Sequence, residues 1–170
     1  MFPPLKTISM IAIIALLFST TLYALATDSE QVLHIVADSS ALNYKIGVNV
    51  YEGHVKAQQG STNLTADRVT TKNNAKHKIE EAIAYGITQL AEYTTIPKEG
   101  DELFRAKAKV IKFYPPKATI ILEGDVVVTQ GENSFNGPLI IYNTNDQTIV
   151  SPPSKGGRAT IVIEPNKLKS

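Results

Sequence analysis

The sequence of 170 residues contains no cysteine and only three histidines. No disulfide can therefore staple the fold, so packed apolar faces and backbone hydrogen bonds must stabilise it. His34, His54 and His77 lack the spacing of a metal motif such as HExxH, and the sequence contains neither a GxSxG elbow nor a glycine-rich phosphate loop. We therefore identify no catalytic residues, no metal site and no cofactor site, and we do not expect an enzyme.

A surplus of charge of either sign is also missing. The chain has 17 basic and 16 acidic residues, and Lys6 is the one charged residue among the first 26. The rest of the chain is therefore balanced. Binding to nucleic-acid phosphates requires clustered, unbalanced lysine and arginine, so we do not expect a nucleic-acid partner.

The N-terminus has the features of a signal peptide. Lys6 precedes an almost unbroken apolar run from Ile8 to Phe18, and Ala24-Leu25-Ala26 fits the small-x-small pattern of a cleavage site. The run is shorter than the roughly 20 residues that span a bilayer. We therefore predict a signal peptide over 1–26 and export of one domain over 27–165 with a polar tail, 166–170; an uncleaved anchor is the alternative.

An internal repeat with an offset of 71 residues organises the exported part. The segment YEGHVKAQQG at 51–60 resembles LEGDVVVTQG at 122–131. The same offset aligns glycines, asparagines and large apolar residues in both directions without a gap. The sequence therefore predicts two similar halves, at about 33–86 and 104–157.

Each half has the composition of β-strands separated by short turns. Turn signals recur about every ten residues, which is typical of an all-β sandwich, roll or barrel. The predicted strands are rich in β-branched and aromatic residues and cover Val48 to Ala57, Leu64 to Thr71, Thr119 to Thr129, Phe135 to Tyr142, and Ala159 to Ile163.

The segment from Ala75 to Tyr85 fits two structures. It contains good helix formers, and Ile79 and Ile83 stand four residues apart, as on an amphipathic helix. The repeat, however, aligns Ile79 with Val150, which lies in a strand-like stretch. We therefore favour a strand.

Two further expectations come from proline and glycine. The stretch 93–102, which contains Pro97 and Gly100, is predicted to link the two halves. Pro138 in the second half replaces Asp67 of the first. Because proline cannot donate to a β-ladder, we expect its strand to begin there or to lie at a sheet edge.

Apolar residues alternate along several predicted strands. Ile120, Leu122, Val126 and Val128 share one face of a strand, because successive side chains point to opposite faces. A rolled antiparallel sheet would gather such positions into one apolar interior. Periodicity alone favours an ordinary dry core, and a groove for an apolar ligand remains the alternative.

Several motifs, in this order, resemble a known family. They are QVLHIVAD at 31–38, EGHV at 52–55, LTADRV at 64–69, EGDV at 123–126 and GGRA at 156–159. Together they resemble the OstA-like family of periplasmic lipopolysaccharide-transport proteins, over essentially all of the exported chain.

The resemblance implies a fold and a role. The fold is an open-ended antiparallel β-jellyroll of about sixteen strands in the periplasm of a Gram-negative bacterium. Its apolar groove carries the acyl chains of lipopolysaccharide. Units associate head to tail through edge strands and join OstA-like domains of the inner- and outer-membrane transport components.

The resemblance also implies lipid-contacting positions, and the repeat adds their counterparts. Leu33, Ile35 and Leu42 match lining positions, Tyr93 matches an aromatic lining residue, and the repeat adds Phe104, Phe113, Leu122 and Phe135. Core packing is the alternative role for each. Two other interpretations of the chain are a membrane-anchored OstA-like component of the same system and a periplasmic β-edge adaptor that binds only proteins.

Overall fold

The computed structural model describes residues 28–154 and 156–165. The predicted signal peptide, 1–26, and the tail, 166–170, lie outside the described residues. Within them the chain forms two single-turn 3-10 helices, Asp28–Glu30 and Pro115–Lys117. It also forms twelve strands, all paired antiparallel: β1 (His34–Val36), β2 (Ser39–Asn43), β3 (Val48–Gln59), β4 (Thr62–Asn73), β5 (Ile79–Tyr85), β6 (Ala91–Thr95), β7 (Phe104–Ala108), β8 (Val110–Tyr114), β9 (Thr119–Gln130), β10 (Asn133–Asn143), β11 (Thr148–Val150) and β12 (Thr160–Val162). The all-β prediction is confirmed, and Ile79 and Ile83 lie on a strand.

Four long strands, β3, β4, β9 and β10, determine the shape of the sheet. Their pairing shifts register between Glu52 and Val55 in the first half and between Gly137 and Leu139 in the second. Such bulges bend a strand. Gly53 and Gly124 adopt φ angles of 77° and 75° at the bends, in the left-handed region where a side chain would add strain. Each long strand therefore turns from one layer of the sheet into another.

The result is one bent sheet with two facing layers. Layer A runs in the order β1, β3, β4, β6, β7, β9, β10, β12, and layer B in the order β2, β3, β4, β5, β8, β9, β10, β11. Each long strand contributes one half to each layer. Counting those halves separately gives the sixteen strands that the family resemblance implied, although the described chain has twelve continuous ones.

The layers are joined along one side, which we call the spine, and end in hairpin turns along the other, which we call the mouth. At the spine the Asp38 N–H donates to the Gly53 carbonyl at 3.0 Å. The Lys109 N–H donates to the Gly124 carbonyl at 2.8 Å, which is the same bond 71 residues later. Both halves therefore turn their corner in the same way.

Side chains cross the spine at the same place in each half, but with opposite charge order. Asp38 Oδ2 lies 2.7 Å from His54 Nδ1 in the first half, and Lys109 Nζ lies 2.8 Å from Asp125 Oδ2 in the second. All four side chains are well exposed. Exposed pairs of this kind contribute little stability, so the fold depends mainly on its interior.

The interior is a single apolar cluster built by both layers. Layer A contributes Val55, Phe104 and Val128, and layer B contributes Leu122 and Tyr142 among others. Each of these five side chains is at most 2% exposed. Burying a large apolar side chain stabilises a fold by about 1.5–3 kcal/mol, so the contact between the layers holds the roll closed.

The predicted linker is wrong at its start. Strand β6 covers Ala91–Thr95, so only residues 96–103 connect the halves. Tyr93 alternates with Ala91 and Thr95, and all three side chains are buried. This segment forms a strand because its alternating side chains are buried in the tertiary structure. The loop begins at Ile96, just before Pro97.

The expectation for Pro138 is also wrong. The proline lies inside β10, which has β9 on one side and both β11 and β12 on the other. It falls at the register shift between Gly137 and Leu139, and between the segments that pair with β12 and β11. No ladder hydrogen bond is needed from its nitrogen at that point, so a proline is tolerated within the sheet.

Candidate functional site

The space between the layers is lined by rows of side chains that cross the whole sheet. Residues directly opposite one another on paired strands share a face. In layer A the row is Ile35, Ala57, Leu64, Tyr93, Ala106, Val128, Phe135 and Ile161. In layer B it is Leu42, Asn49, Thr71, Ala82, Phe113, Ile120, Tyr142 and Ile149.

Seven of the eight lipid-contacting residues predicted from the sequence lie on this inward face, and Leu33 lies beside it at the N-terminal edge. The layer A row contains Ile35, Tyr93 and Phe135, and the layer B row contains Leu42 and Phe113. Phe104 and Leu122 stand two residues from a row member on the same strand, so they face the same way. Leu33 lies just before β1, two residues from Ile35. The structure thus brings the predicted set together.

Exposure along this face increases toward the N-terminal edge. Phe104 and Leu122 are 0% exposed, whereas Leu33 and Leu42 are 37% and 46% exposed. Tyr93 is buried, and Ile35, Phe113 and Phe135 are partly buried against the core. The interior is therefore closed by side-chain packing in its middle, and a ligand could reach Phe104 or Leu122 only if the layers separate there.

An aromatic cluster closes the middle. The rings of Phe104 and Tyr142 stack across the two layers with centroids 4.2 Å apart and an angle of 15°. Tyr93 meets Phe104 edge-on at 6.3 Å. Burial raises the pKa of Tyr142 to about 12. Sequence reasoning missed Tyr142 as an interior residue, although its alternation with Ile140 was a usable signal.

The first half is more polar at the corresponding place. Asn49 and Thr71 stand where Ile120 and Tyr142 stand in the second half. Both polar side chains are buried, and Asn49 Nδ2 donates to Thr71 Oγ1 at 3.2 Å. The two halves therefore share the same backbone arrangement but differ in the polarity of the side chains near the mouth.

Asp28 ties the beginning of the described chain to the mouth of layer A. Its carboxylate accepts the Ser61 N–H at 2.9 Å and the hydroxyls of Ser61 and Thr62 at 2.7 Å each. Partial burial acts to raise the pKa of Asp28, but the hydrogen bonds from Thr62 and Ser61 outweigh it and hold the pKa below its ordinary value. No motif in the sequence predicted this contact.

Asp67 holds the loop between β5 and β6 at the spine. Its Oδ2 accepts the backbone N–H groups of Ile87 and Thr88 at 2.6 Å each, and its Oδ1 accepts the Thr88 hydroxyl at 2.8 Å. These bonds, with that of the Thr88 N–H the strongest, lower the pKa of Asp67 to about 2. The second half has Pro138 here, so this tether belongs to the first half.

The described residues contain neither a metal-binding cluster nor a helix that could span a membrane. No group of three or more histidine, cysteine, aspartate or glutamate side chains stands close enough to hold a metal ion within 28–154 and 156–165. In the same ranges no helix has the length and apolar character needed to cross a membrane.

Both ends of the bent sheet expose apolar side chains along strand edges that no other described strand pairs with. At the N-terminal edge, β1 and β2 carry Val36 at 67% and Leu42 at 46% exposure. At the C-terminal edge, β11 and β12 carry Val150 at 48% and Ile161 at 54% exposure, followed by Ile163 at 70%. Exposed strand edges can act as templates for pairing with another strand.

These features define a class of protein: an open-ended β-roll of two facing layers, apolar inside, with exposed strand edges at both ends. The family described as LptA/(LptD N-terminal domain) LPS transport protein matches residues 34–148. The chain belongs to this family. The likeness to LptA and its OstA-like relatives that the motifs indicated is thereby confirmed, as is the open-ended β-jellyroll fold.

Individual relatives agree with this assignment. The lipopolysaccharide export system protein LptH of Pseudomonas aeruginosa is 32% identical over 160 residues, which are 90% of each chain. The protein LptA of Escherichia coli K12 is 24% identical over 147 residues, 86% of this chain and 78% of that one. The crystal structure of Pseudomonas aeruginosa LptH, described as a periplasmic component of the lipopolysaccharide transport device, has a TM-score of 0.75 at 31% identity. It covers 82% of this chain and 100% of its own.

Proposed function

We propose that this protein is a periplasmic carrier of lipopolysaccharide in a Gram-negative bacterium, one unit of a protein bridge from the inner to the outer membrane. The observation that carries the proposal is that each layer has one row of inward-facing side chains, which runs from one open edge of the sheet to the other. Family membership and the export-system names of the relatives support it.

The physical requirements of lipid transport through water explain the architecture of the roll. Exposing an acyl chain to water costs about 0.8 kcal/mol per CH₂ group, so a lipid with several chains needs continuous cover. A groove lined along its length by similar apolar residues replaces each contact with an equivalent one. No step makes or breaks a covalent bond, so the protein needs no catalytic residues and is not an enzyme.

The eight predicted residues take graded roles in this proposal. Leu33 and Leu42 are exposed at the N-terminal edge and contact the acyl chains first or last. Ile35, Phe113 and Phe135 line the groove beside the core. Tyr93, Phe104 and Leu122 contact lipid only when the middle of the roll opens, because they are buried in the closed form.

The junction between the two halves is a template for head-to-tail assembly. Inside one chain, β6 of the first half pairs with β7 of the second, and β5 pairs with β8. The corresponding strands at the ends of the chain, β12 and β11 at one end and β1 and β2 at the other, have no such partner among the described residues. We infer that a second copy, or an OstA-like domain of a membrane component, supplies it.

The template predicts the register of that contact. Ile161 faces Phe135 as Tyr93 faces Leu64, so Ile161 should meet Ile35 of the next copy, as Tyr93 meets Ala106. By the same argument in layer B, Ile149 should meet Leu42 of the next copy, as Ala82 meets Phe113. Both inward rows then continue without a break from one unit into the next.

Site-specific photo-crosslinking tests the lipid proposal. A photoreactive residue at Ile35, which faces inward, should label lipopolysaccharide, whereas one at the adjacent Val36, which faces outward, should not. Equal labelling from both positions would refute a groove. Labelling of proteins alone from Ile35 would instead support the adaptor that binds only proteins.

Cysteine pairing tests the register, because the chain has no cysteine of its own. A chain with Ile35→Cys and Ile161→Cys should form a ladder of disulfide-linked multimers on mild oxidation, since directly opposite Cβ atoms lie about 5 Å apart. In the control, Ile35→Cys with Val162→Cys, the two thiols face opposite sides of the sheet. A control ladder as strong as the test ladder would contradict the register.

Mass spectrometry of the protein purified from the periplasm separates the carrier from the membrane-anchored alternative. Cleavage after Ala26 predicts a chain that begins at Thr27. Recovery of the intact N-terminus in a membrane fraction would select the anchored component.

A further inference from the structure

The mouth of the roll is bridged in the second half. Gln147, in the turn between β10 and β11 of layer B, donates from Nε2 to Oδ2 of Asp101 at 3.0 Å. Asp101 belongs to residues 96–103, which connect β6 to β7 in layer A and which we call the strap. The hydrogen bond therefore joins the rims of the two layers at the side opposite the spine.

The strap is directly coupled to the aromatic cluster. It ends at Leu103, and the next residue, Phe104, is the one that stacks on Tyr142 at 4.2 Å. Phe104 is 0% exposed and Tyr142 is 2% exposed, although both stand near the rim. A movement of the strap that includes the first residue of β7 would therefore displace the ring that closes the interior.

The strap itself is weakly held by packing. Its end residues Ile96 and Leu103 are 45% and 44% exposed. At its tip Gly100 has a φ of 83° and no atom near the position of a Cβ, and the Asp101 N–H bonds locally to the Lys98 carbonyl at 3.0 Å. Segments with few buried contacts open at low free energy.

The first half provides the contrast. The positions that match Phe104 and Tyr142 are Leu33 and Thr71. Leu33 is 37% exposed, and Thr71 is occupied by its hydrogen bond with Asn49. The aromatic closure is therefore a feature that the second half has and its duplicate does not.

We propose that the strap and the turn at 144–147 form a lateral gate through which acyl chains of lipopolysaccharide enter and leave the middle of the roll. The gate is closed by the Asp101–Gln147 bond and by the Phe104–Tyr142 stack. Opening separates the rims about the spine and exposes both rings and Leu122 to the lipid. This inference rests on the proposed lipid-carrier function and adds a route into its closed segment.

A cleavable cross-link across the mouth tests the gate. Asp101→Cys with Gln147→Cys supplies the only two thiols in the chain. Joined by a short bifunctional thiol reagent, this variant should load labelled lipopolysaccharide at least about tenfold more slowly than before cross-linking. Cleaving the reagent should restore loading. The matched control, Asp38→Cys with His54→Cys, ties side chains that are 2.7 Å apart at the spine and should load normally when cross-linked.

A second variant tests the gate in the opposite direction. Gln147→Ala removes the bond between the rims and should speed loading about two- to fivefold, the effect of one modest hydrogen bond on an opening equilibrium. Circular dichroism checks that each variant is folded.

The outcomes separate the gate from the carrier. If the mouth-linked protein loads as fast as the spine-linked control, the gate is refuted while the carrier stands. If Gln147→Ala leaves the loading rate unchanged, the Asp101–Gln147 bond is not part of the closure. If the wild-type chain takes up no lipopolysaccharide, the carrier function itself is refuted and the gate with it.

Discussion

Replacing Phe104 with alanine removes the ring that stacks on Tyr142 and touches Tyr93 in the closed middle of the roll. The side chain is 0% exposed, and phenylalanine-to-alanine changes at such positions cost about 3–5 kcal/mol through lost burial and the cavity left behind. A domain of this size is stable by about 5–15 kcal/mol. We therefore expect Phe104→Ala to remove a large part of the free energy of unfolding.

The internal repeat supplies a matched control for this change. Leu33 occupies the same place in the first half but is 37% exposed, so Leu33→Ala should cost about 1 kcal/mol or less. Urea unfolding followed by far-ultraviolet circular dichroism measures both, because the chain has no tryptophan for fluorescence. The protein must be monomeric at the concentration used, because head-to-tail assembly would bury Leu33.

A conservative substitution at the same position provides a second control for Phe104→Ala. Phe104→Leu keeps a large apolar side chain and should cost less than Phe104→Ala, because it leaves a smaller cavity. Equal losses of stability for Phe104→Ala and Leu33→Ala would mean that the middle of the roll is no better packed than its edge. The argument for a closed middle would then be refuted.

Two titrations follow from the perturbed pKa values. The pKa of Asp67 is lowered to about 2 from an ordinary value of 3.8, so its stabilising effect is present above pH 4 and is lost as the pH falls toward 2. The free energy of unfolding of Asp67→Asn should therefore fall less than that of the wild-type chain as the pH is lowered from 4 to 2. An equal fall in both would show that the hydrogen bonds from the loop to Asp67 do not contribute to stability. The pKa of Tyr142 is raised to about 12 from 10, so its contribution is intact below pH 10 and is lost as the pH rises toward 12. Ultraviolet difference titration should show one tyrosine ionising last, and Tyr142→Phe should remove that step; its persistence in the variant would contradict the assignment.

The strand pattern was largely predictable because it is a local property. Apolar alternation at Ile120, Leu122, Val126 and Val128 identifies one buried face, and all four side chains are at most 2% exposed. The repeat was equally informative, since Gly53 and Gly124 turned out to bend their strands with nearly the same φ. The same alignment favoured a strand at Ile79 over the helix that composition suggested.

Errors arose where long-range contacts overruled local signals. Tyr93 became part of a strand because Leu64 and Ala106 pair with it from either side. Pro138 sits within a paired strand because its position falls between the segments covered by β11 and β12. Neither arrangement can be inferred from neighbouring residues, since both depend on strands that are distant in the chain.

The sequence by itself determined that the chain is all-β and duplicated, and which face of a strand such as β9 points inward, because alternation and turn chemistry act over a few residues. Only the tertiary structure decided how those inward side chains are used. Phe104 and Tyr142 come from strands far apart in the chain, and their stacking closes the middle of the roll, while Leu33 and Ile161 are left exposed at the two ends. That difference depends on how tightly the two layers approach each other, which no single strand can specify.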